Sequence, residues 1–370
     1  MSEKPIAIAA GGTGGHLFPG QALAQELMRR GRTVVLVTDE RVRQFDRLFP
    51  GVEVHQVPSA TPGSGGAAGL ARAMPKLMLG AARAYLLLGR IKPAAMIGFG
   101  GYPTLPPMVA AVAHGIPTAV HEQNAVLGRV NRLLAPRVKA IASTFDDPKY
   151  LKAEDKKRLV ATGNPVRDAV RAVAGTPYPN LETQGPFNLL IFGGSQGARV
   201  MSDVVPDALA ALDEGRRARL QVTQQCRAED LDRVRAIYQA AGIKAELSAF
   251  FDDMPRLIAN AHLVIGRSGA STVSELGVIG RPSILVPLPH SLDNDQKANA
   301  ELLSESGAAL MIEQQDFTPQ SLSRILADLM AKPERLREIA AAALARGEPQ
   351  AVERLADLVD ALAGYKTGES

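Results

Sequence analysis

Twice in this chain a short apolar run ends in clustered glycines and passes straight into a helical pattern, which narrows the fold to parallel α/β. Ile6 to Ala10 leads into Gly11-Gly12-Thr13-Gly14-Gly15-His16, a helix from about Gly20 to Arg30, and a second apolar run, Val34 to Val37. Leu189 to Phe192 leads in the same way into Gly193-Gly194-Ser195-Gln196-Gly197 and a helix beginning near Ala198 and Arg199. Strand, glycine turn and helix in that order form the βα unit of a parallel sheet, with the turn at the carboxyl end of the strand.

At 370 residues the chain is long enough for two such domains, each with its own core. Thr162-Gly163-Asn164-Pro165 and Gly175-Thr176-Pro177-Tyr178-Pro179-Asn180 carry turn and linker chemistry, which puts the boundary near residue 163. The tail from Pro333 to Leu362 reads as helical, interrupted at Gly347 and Pro349. An apolar fraction of 46% and a charged fraction of 22% are ordinary for a globular protein, and disordered and fibrous classes fall away. A single cysteine, Cys226, and no signal-peptide pattern after Met1 lead to the expectation of a reducing cytoplasm.

Charge is unevenly spread. Residues 1 to 163 hold 21 Lys and Arg against 11 Asp and Glu, and the rest of the chain holds 21 against 27. No acid lies between Glu53 and Glu122, whereas Arg72, Lys76, Arg83, Arg90 and Lys92 all do. Leu77, Leu79, Leu86 and Leu87 alternate with Lys76 and Arg83 after a helix-starting Pro75. A buried core face accounts for most such stripes, yet all the flanking charges are positive, as on a helix lying against an anionic bilayer. The uncharged stretch from Pro93 to His121 is broken too often by Gly and Pro to span a membrane.

The glycine turns carry the chemistry. Small residues between strand and helix let the backbone approach an anion while the first helical amides point at it. Four glycines in Gly11 to Gly15 exceed what a turn alone requires, so a diphosphate cradle is expected there. A nicotinamide fingerprint fits less well, because Leu17 stands where the third glycine would be, although Asp39 follows the second strand. Gly98 to Gly101 is a third loop of this kind.

His16, at the mouth of the first turn, could accept a proton from a hydroxyl or merely bond a phosphate. From Leu263 to Glu275 the strand, turn and helix start recur, with Ala270, Ser271, Thr272, Val273 and Ser274 leaving room for phosphates and Glu275 within reach of a ribose. Thr272 and Glu275 also match a capping box, which needs no ligand. Asp293-Asn294-Asp295 looks like a short acidic metal motif, but no His or further acid has the right spacing, and no metal is expected. The neighbouring Gln296 and Asn299 suit sugar hydroxyls.

Taken in order, Gly11 to His16 with Phe18-Pro19-Gly20, Gly98-Phe99-Gly100-Gly101-Tyr102, His121-Glu122-Gln123-Asn124, Gly163-Asn164-Pro165-Val166-Arg167, Gly193 to Ala198 and Arg267 to Glu275 resemble the MurG family. These are bacterial transferases that make lipid II from lipid I. The resemblance implies an α/β GT-B glycosyltransferase fold, two Rossmann-like domains facing across a cleft. Residues 1–163 would bind the acceptor at the membrane, residues 164–345 would bind UDP-N-acetylglucosamine, and the C-terminal helix, residues 346–370, would pack back on the first domain.

By the same resemblance His16 is the catalytic base. Thr13, Gly14, Gly15, Asn124, Arg167, Ser195, Phe251, the stretch Ala270, Ser271, Thr272, Val273, Ser274 and Glu275, and Gln296 fall on substrate contacts. Asp295 stands where the family often has the first Gln of a pair. The implied partners are UDP-N-acetylglucosamine, lipid I and an anionic membrane surface, with no nucleic acid, cofactor or metal, at the cytoplasmic face of the inner membrane. The rivals are a non-hydrolysing UDP-N-acetylglucosamine epimerase of the same fold, a nicotinamide dehydrogenase and a non-catalytic membrane scaffold.

Overall fold

The computed structural model describes residues 4–12, 14–40, 48–62, 66–194 and 197–366. The chain divides into two compact units, Met1–Arg167 with Pro349–Ser370, and Asp168–Glu348.

The first unit contains β1 (Ile6–Ala9), α1 (Gly14–Arg29), β2 (Val34–Thr38), β3 (Glu53–Gln56), α2 (Gly66–Ile91), β4 (Ala95–Gly98), α3 (Leu105–Ala113), β5 (Thr118–Glu122), α4 (Arg129–Leu134), β6 (Ala140–Ser143) and β7 (Leu159–Ala161). All seven strands are parallel, in the order β3-β2-β1-β4-β5-β6-β7. Both faces are covered, and β1 shows how: Ile6, Ile8 and Ala10 pack with Leu17, Leu23 and Leu27 of α1, while Ala7 and Ala9 face the core under α2 and α3. Alternate residues thus serve opposite cores, as a strand's period of two requires.

The second unit contains α5 (Asp168–Arg171), β8 (Phe187–Phe192), α6 (Arg199–Ala210), α7 (Glu214–Arg219), β9 (Leu220–Gln225), α8 (Leu231–Ala240), β10 (Lys244–Ser248), α9 (Met254–Asn260), β11 (Leu263–Gly266), α10 (Ala270–Ile279), β12 (Ser283–Leu285), α11 (Asp295–Glu305), β13 (Leu310–Met311), α12 (Pro319–Ala331) and α13 (Pro333–Ala345). Its six parallel strands run β10-β9-β8-β11-β12-β13.

In each sheet the chain order reverses beside the first strand, between β1 and β4 and between β8 and β11. That switch point is where an open α/β sheet leaves a crevice at the carboxyl ends of its strands. Gly11 to Gly15 and Gly98 to Gly101 flank the first, and Gly193 to Gly197 and Gly266 to Gly269 the second.

The last helix, α14 (Ala351–Ala363), belongs to the first unit. Leu355, Ala356 and Val359 enter the α1 core, and the fully buried Asp360 accepts from Arg30 Nη1 at 3.1 Å and Arg32 Nε at 3.0 Å. The unit boundaries fall after Arg167 and Glu348, a few residues beyond the limits of 163 and 345 expected from sequence. The carbonyl of Thr162 accepts from Arg354 of α14, and that of Gly163 from His121 of β5, so the Asn-Pro turn lies inside the first unit.

The basic apolar helix, α2, is two-faced. Ala73, Leu77, Ala84 and Leu88 are buried, and Met74, Met78, Leu79, Tyr85 and Leu86 are exposed, Met78 and Leu86 by about two thirds (65% and 64%). Leu77 is therefore no membrane contact: it shares a helical face with the core-facing alanines, and Leu87 is likewise partly buried against the core. Lys76, Arg83, Leu79 and Leu86 remain on the outer side. Among the described residues no helix is long and apolar enough to cross a membrane.

Candidate functional site

In the first unit the site gathers around His16, the third residue of α1. Most of the surrounding glycine content has a packing cause. A Cβ on Gly11 would lie 2.7 Å from Pro103 Cβ, and one on Gly14 would lie 2.9 Å from the Phe18 ring. Gly12 has φ +88°, a conformation that costs other residues energy. The apparent excess of glycines therefore reflects tight packing of the turn, and an anion is not needed to explain it.

Gly98 to Gly101 serves this same centre. Gly100 and Gly101 have φ +82° and +73°, and a Cβ on Gly101 would stand 3.3 Å from His16 Nε2. The loop lies beside the imidazole because no side chain intervenes.

His16 Nδ1 is 3.1 Å from Gln123 Oε1. Gln123 Nε2 reaches Phe99 O at 3.1 Å, His121 O at 3.0 Å and His121 Nδ1 at 3.0 Å. The adjacent Glu122 is buried and accepts from Gly128 N at 2.7 Å, Asn131 Nδ2 at 2.9 Å and Asn124 N at 3.1 Å. Burial pushes its carboxyl up, against the opposing pull of those donors. Asn124 also bonds Glu122 through Nδ2 at 3.3 Å, which orients its amide. The Arg167 guanidinium lies 4.4 Å over the Phe18 ring, next to the Gly14 turn. Thr13 lies outside the described residues.

Burial pushes His121 down from 6.5 to about 4, with a smaller push from His16. An unfolded chain takes up that proton as the pH falls below about 6.5, whereas the folded unit takes it up only near 4. Stability is therefore lost across that window as the pH drops. A gap of this size is worth on the order of 3 kcal/mol. We expect protection of the β5 and β6 amides from hydrogen exchange to weaken between pH 7 and 5, and His121→Gln to flatten that dependence.

In the second unit the structure removes the capping-box reading. The residue capping α10 is Gly269, with no side-chain cap, so Thr272 lies inside the first turn. Three amide groups at Ala270, Ser271 and Thr272 head a helix without a capping side chain, the arrangement that binds anions. Ser271 Oγ is buried with no hydrogen-bond partner among the described residues. Ser274 Oγ, in contrast, donates to Ala270 O at 2.9 Å.

The Gly193 turn is equally tight, since a Cβ there would lie 2.1 Å from Ala198 N, and Gly194 has φ +89°. Ser195 lies outside the described residues. Glu275 is 7% exposed on the buried side of α10. Gln296 accepts from Leu288 N at 3.0 Å through Oε1, and its backbone carbonyl accepts from Ser268 Oγ at 2.8 Å. With Oε1 engaged in this way, the side-chain group that Gln296 can offer a ligand is its amide nitrogen, a donor.

Asn299, read as a sugar contact, is fully buried and donates to Ser268 O at 3.1 Å; it holds the α10 turn instead. Asp295 accepts from Gln296 N at 2.7 Å, and among the described residues no three His, Cys, Asp or Glu are grouped to hold a metal. Phe251 follows β10 and is half-buried beside the exposed Phe250.

One site residue was read from sequence only as the start of a motif, and a second was not read at all. Arg267, 9% exposed, donates to Val286 O, Pro287 O and Gln314 Oε1 and braces the turn before α10. Arg227 follows β9 with its Cγ 3.2 Å from where a Cβ of Gly197 would be, and its Nε is buried with no hydrogen-bond partner among the described residues. Arg227 has no local signal, because β9 and the turn it meets after β8 are distant in sequence.

The N-terminal and C-terminal domains of glycosyltransferase family 28 match residues 6–143 and 188–355. A protein of Agrobacterium fabrum named UDP-N-acetylglucosamine–N-acetylmuramyl-(pentapeptide) pyrophosphoryl-undecaprenol N-acetylglucosamine transferase is 52% identical over 363 residues, 98% of this chain and 96% of its own. The crystal structure of MurG from Acinetobacter baumannii superposes with a TM-score of 0.78 at 29% identity, covering 96% of this chain and 99% of that one. A UDP-GlcNAc 2-epimerase of Neisseria meningitidis bound to UDP-GlcNAc superposes with a TM-score of 0.68 at 12% identity, covering 95% and 98%; that likeness concerns the fold alone. With two parallel Rossmann-like sheets and this full-length likeness to named transferases, the chain belongs to the MurG family of glycosyltransferase family 28.

Proposed function

We propose that the chain moves N-acetylglucosamine from UDP-N-acetylglucosamine to the 4-hydroxyl of the muramyl sugar of lipid I, the undecaprenyl-diphosphate-linked muramyl pentapeptide, giving lipid II. The observation that carries this reading is the 52% identity, across nearly the whole of both chains, to a relative named for that transfer.

The division of labour follows from the two switch points. In the second unit the uncapped amides of Ala270 to Thr272 and the Ser271 hydroxyl hold the diphosphate, with Ser195 on the neighbouring turn. Glu275 holds the ribose, the backbone at Phe251 meets the uracil, and Gln296 donates to the sugar. These donors are in place before the reaction and meet the charge that develops on departing UDP, the arrangement that lowers such barriers most. In the first unit the turn with Thr13, Gly14 and Gly15 takes the acceptor diphosphate and Asn124 holds a sugar, while Arg167 adds a full positive charge against that of the departing UDP.

His16 removes the proton of the attacking hydroxyl as that oxygen bonds C1 and the bond from C1 to the UDP oxygen breaks. One displacement of this kind inverts the anomeric centre. Incubation with labelled UDP-N-acetylglucosamine and a lipid I analogue tests the whole reading: labelled lipid II is expected, and free UDP-N-acetylmannosamine instead would establish the epimerase alternative.

We place the protein peripherally on the cytoplasmic face of the inner membrane, through the outer side of α2. Its support is the row Met74, Met78, Leu79, Tyr85 and Leu86, exposed beside Lys76 and Arg83. Burying two large apolar side chains is worth roughly 3 to 6 kcal/mol, so Met78→Glu with Leu86→Glu is expected to abolish co-sedimentation with anionic vesicles. Unchanged co-sedimentation would remove α2 as the contact.

A further inference from the structure

The chain of hydrogen bonds behind His16 has only one consistent proton arrangement. It starts at Gly163, whose carbonyl lies 3.0 Å from His121 Nε2. A carbonyl oxygen can only accept, so His121 carries its proton on Nε2 and offers a lone pair at Nδ1. The nitrogen end of the Gln123 amide is surrounded by three acceptors: that lone pair at 3.0 Å, Phe99 O at 3.1 Å and His121 O at 3.0 Å. Turning the amide over would set its oxygen against all three. Gln123 Oε1 therefore faces His16 Nδ1 at 3.1 Å and, as an acceptor, requires a proton on that nitrogen.

We infer that Gln123, itself oriented by His121 and the Gly163 carbonyl, is the positioning residue that fixes the proton of His16 on Nδ1 and so presents the lone pair of Nε2 to the substrate. Resting on the reading of His16 as the base, this supplies what that role demands, since a neutral imidazole accepts a proton only through its unprotonated nitrogen. The free side chain of histidine prefers the opposite tautomer, with the proton on Nε2, so the preference has to be reversed by a neighbour. Burial keeps His121 neutral down to about pH 4, which prevents a proton on its Nδ1 from turning the amide at neutral pH. Gly101 contributes on the other side, because a Cβ there would stand 3.3 Å from Nε2. The anchor is itself secured: Gly163 N donates to Ser143 O at 3.2 Å, and Thr162 O accepts from Arg354 Nε at 3.1 Å.

The test is the nitrogen-15 spectrum of the histidine side chains in the full-length protein, with His16 assigned by its loss in His16→Gln. In the wild-type protein, above the titration of His16, Nδ1 is expected to carry the proton and Nε2 to be bare. A wild-type His16 with its proton on Nε2 overturns the inference without any variant. In Gln123→Leu the Nε2–H tautomer is expected to dominate, with kcat lowered about tenfold or more and the KM for UDP-N-acetylglucosamine within about threefold. A Gln123→Leu protein that keeps the Nδ1–H tautomer, or keeps its kcat, also overturns it. Normal tautomers in an enzyme whose His16→Ala variant still turns over would instead strike the assignment of His16 as base and leave the hydrogen-bond chain standing.

Discussion

Replacing His16 by alanine is expected to lower turnover by roughly 10²- to 10⁴-fold, the usual contribution of a positioned general base, while the Kd for UDP-N-acetylglucosamine changes by less than about threefold. The asymmetry follows from which unit carries which group. His16 belongs to the first unit, on α1, whereas the uncapped helix start proposed to hold the diphosphate belongs to the second. Removing the imidazole deletes a group required only as the hydroxyl proton leaves, so the loss falls on the chemical step. Packing losses should be small: the ring is part-buried, and its partner Gln123 keeps its bonds to Phe99 and His121. Single-turnover rates with calorimetric titration of the nucleotide sugar separate the two quantities. Near-normal single-turnover rates would remove His16 as the base and leave a phosphate contact as its role.

The parallel sheets and their glycine turns were legible because strand period, turn residues and helix start all act over a few neighbouring positions. The face of α2 was legible only in part. The alternation of leucines with basic residues announces an amphipathic helix, but which leucines turn inward depends on α3 and the sheet beneath, and Leu77 turns inward with Ala73 and Ala84. The capping box at Thr272 and Glu275 failed for a similar reason: the helix begins two residues before Thr272, at Ala270, a start set by the strand and turn that precede it. Gln123 was visible in His121-Glu122-Gln123-Asn124, yet its task depends on Phe99, Gly163 and His16, which come together only through the strand order β1-β4-β5-β6-β7. Asn299 had the right chemistry for a sugar and the wrong burial.

Arg281→Ala is expected to destabilise the second unit by about 4 kcal/mol, because the buried guanidinium ties together three pieces of chain. Arg281 is 1% exposed. Its Nε and Nη2 donate to Ala259 O at the end of α9, Nη1 to Ile279 O and Gly280 O at the end of α10, and Nη2 to Thr176 O and Pro177 O in the segment after α5. These carbonyls include the helix-terminal groups that have no intrahelical donor, and a positive charge there is favoured by both helix dipoles. Burial pulls the arginine pKa down, yet the intrinsic value is so high that the group stays charged. Removing the side chain leaves several buried acceptors unsatisfied at roughly 1 to 3 kcal/mol each, partly relieved by relaxation or entering water. Arg281→Lys should recover only a fraction, since three donors on one ammonium cannot reach three diverging segments. The consequence extends to function, because α10 carries the uncapped amides at its other end: loosening its C-terminus is expected to weaken UDP binding as well as stability. Hydrogen exchange resolves the effect by region, with protection falling in α9 and α10 and unchanged in β4 and β5. Uniform protection in Arg281→Ala would show that the packing of α10 against α13 and α11, rather than this guanidinium, holds the helix in place.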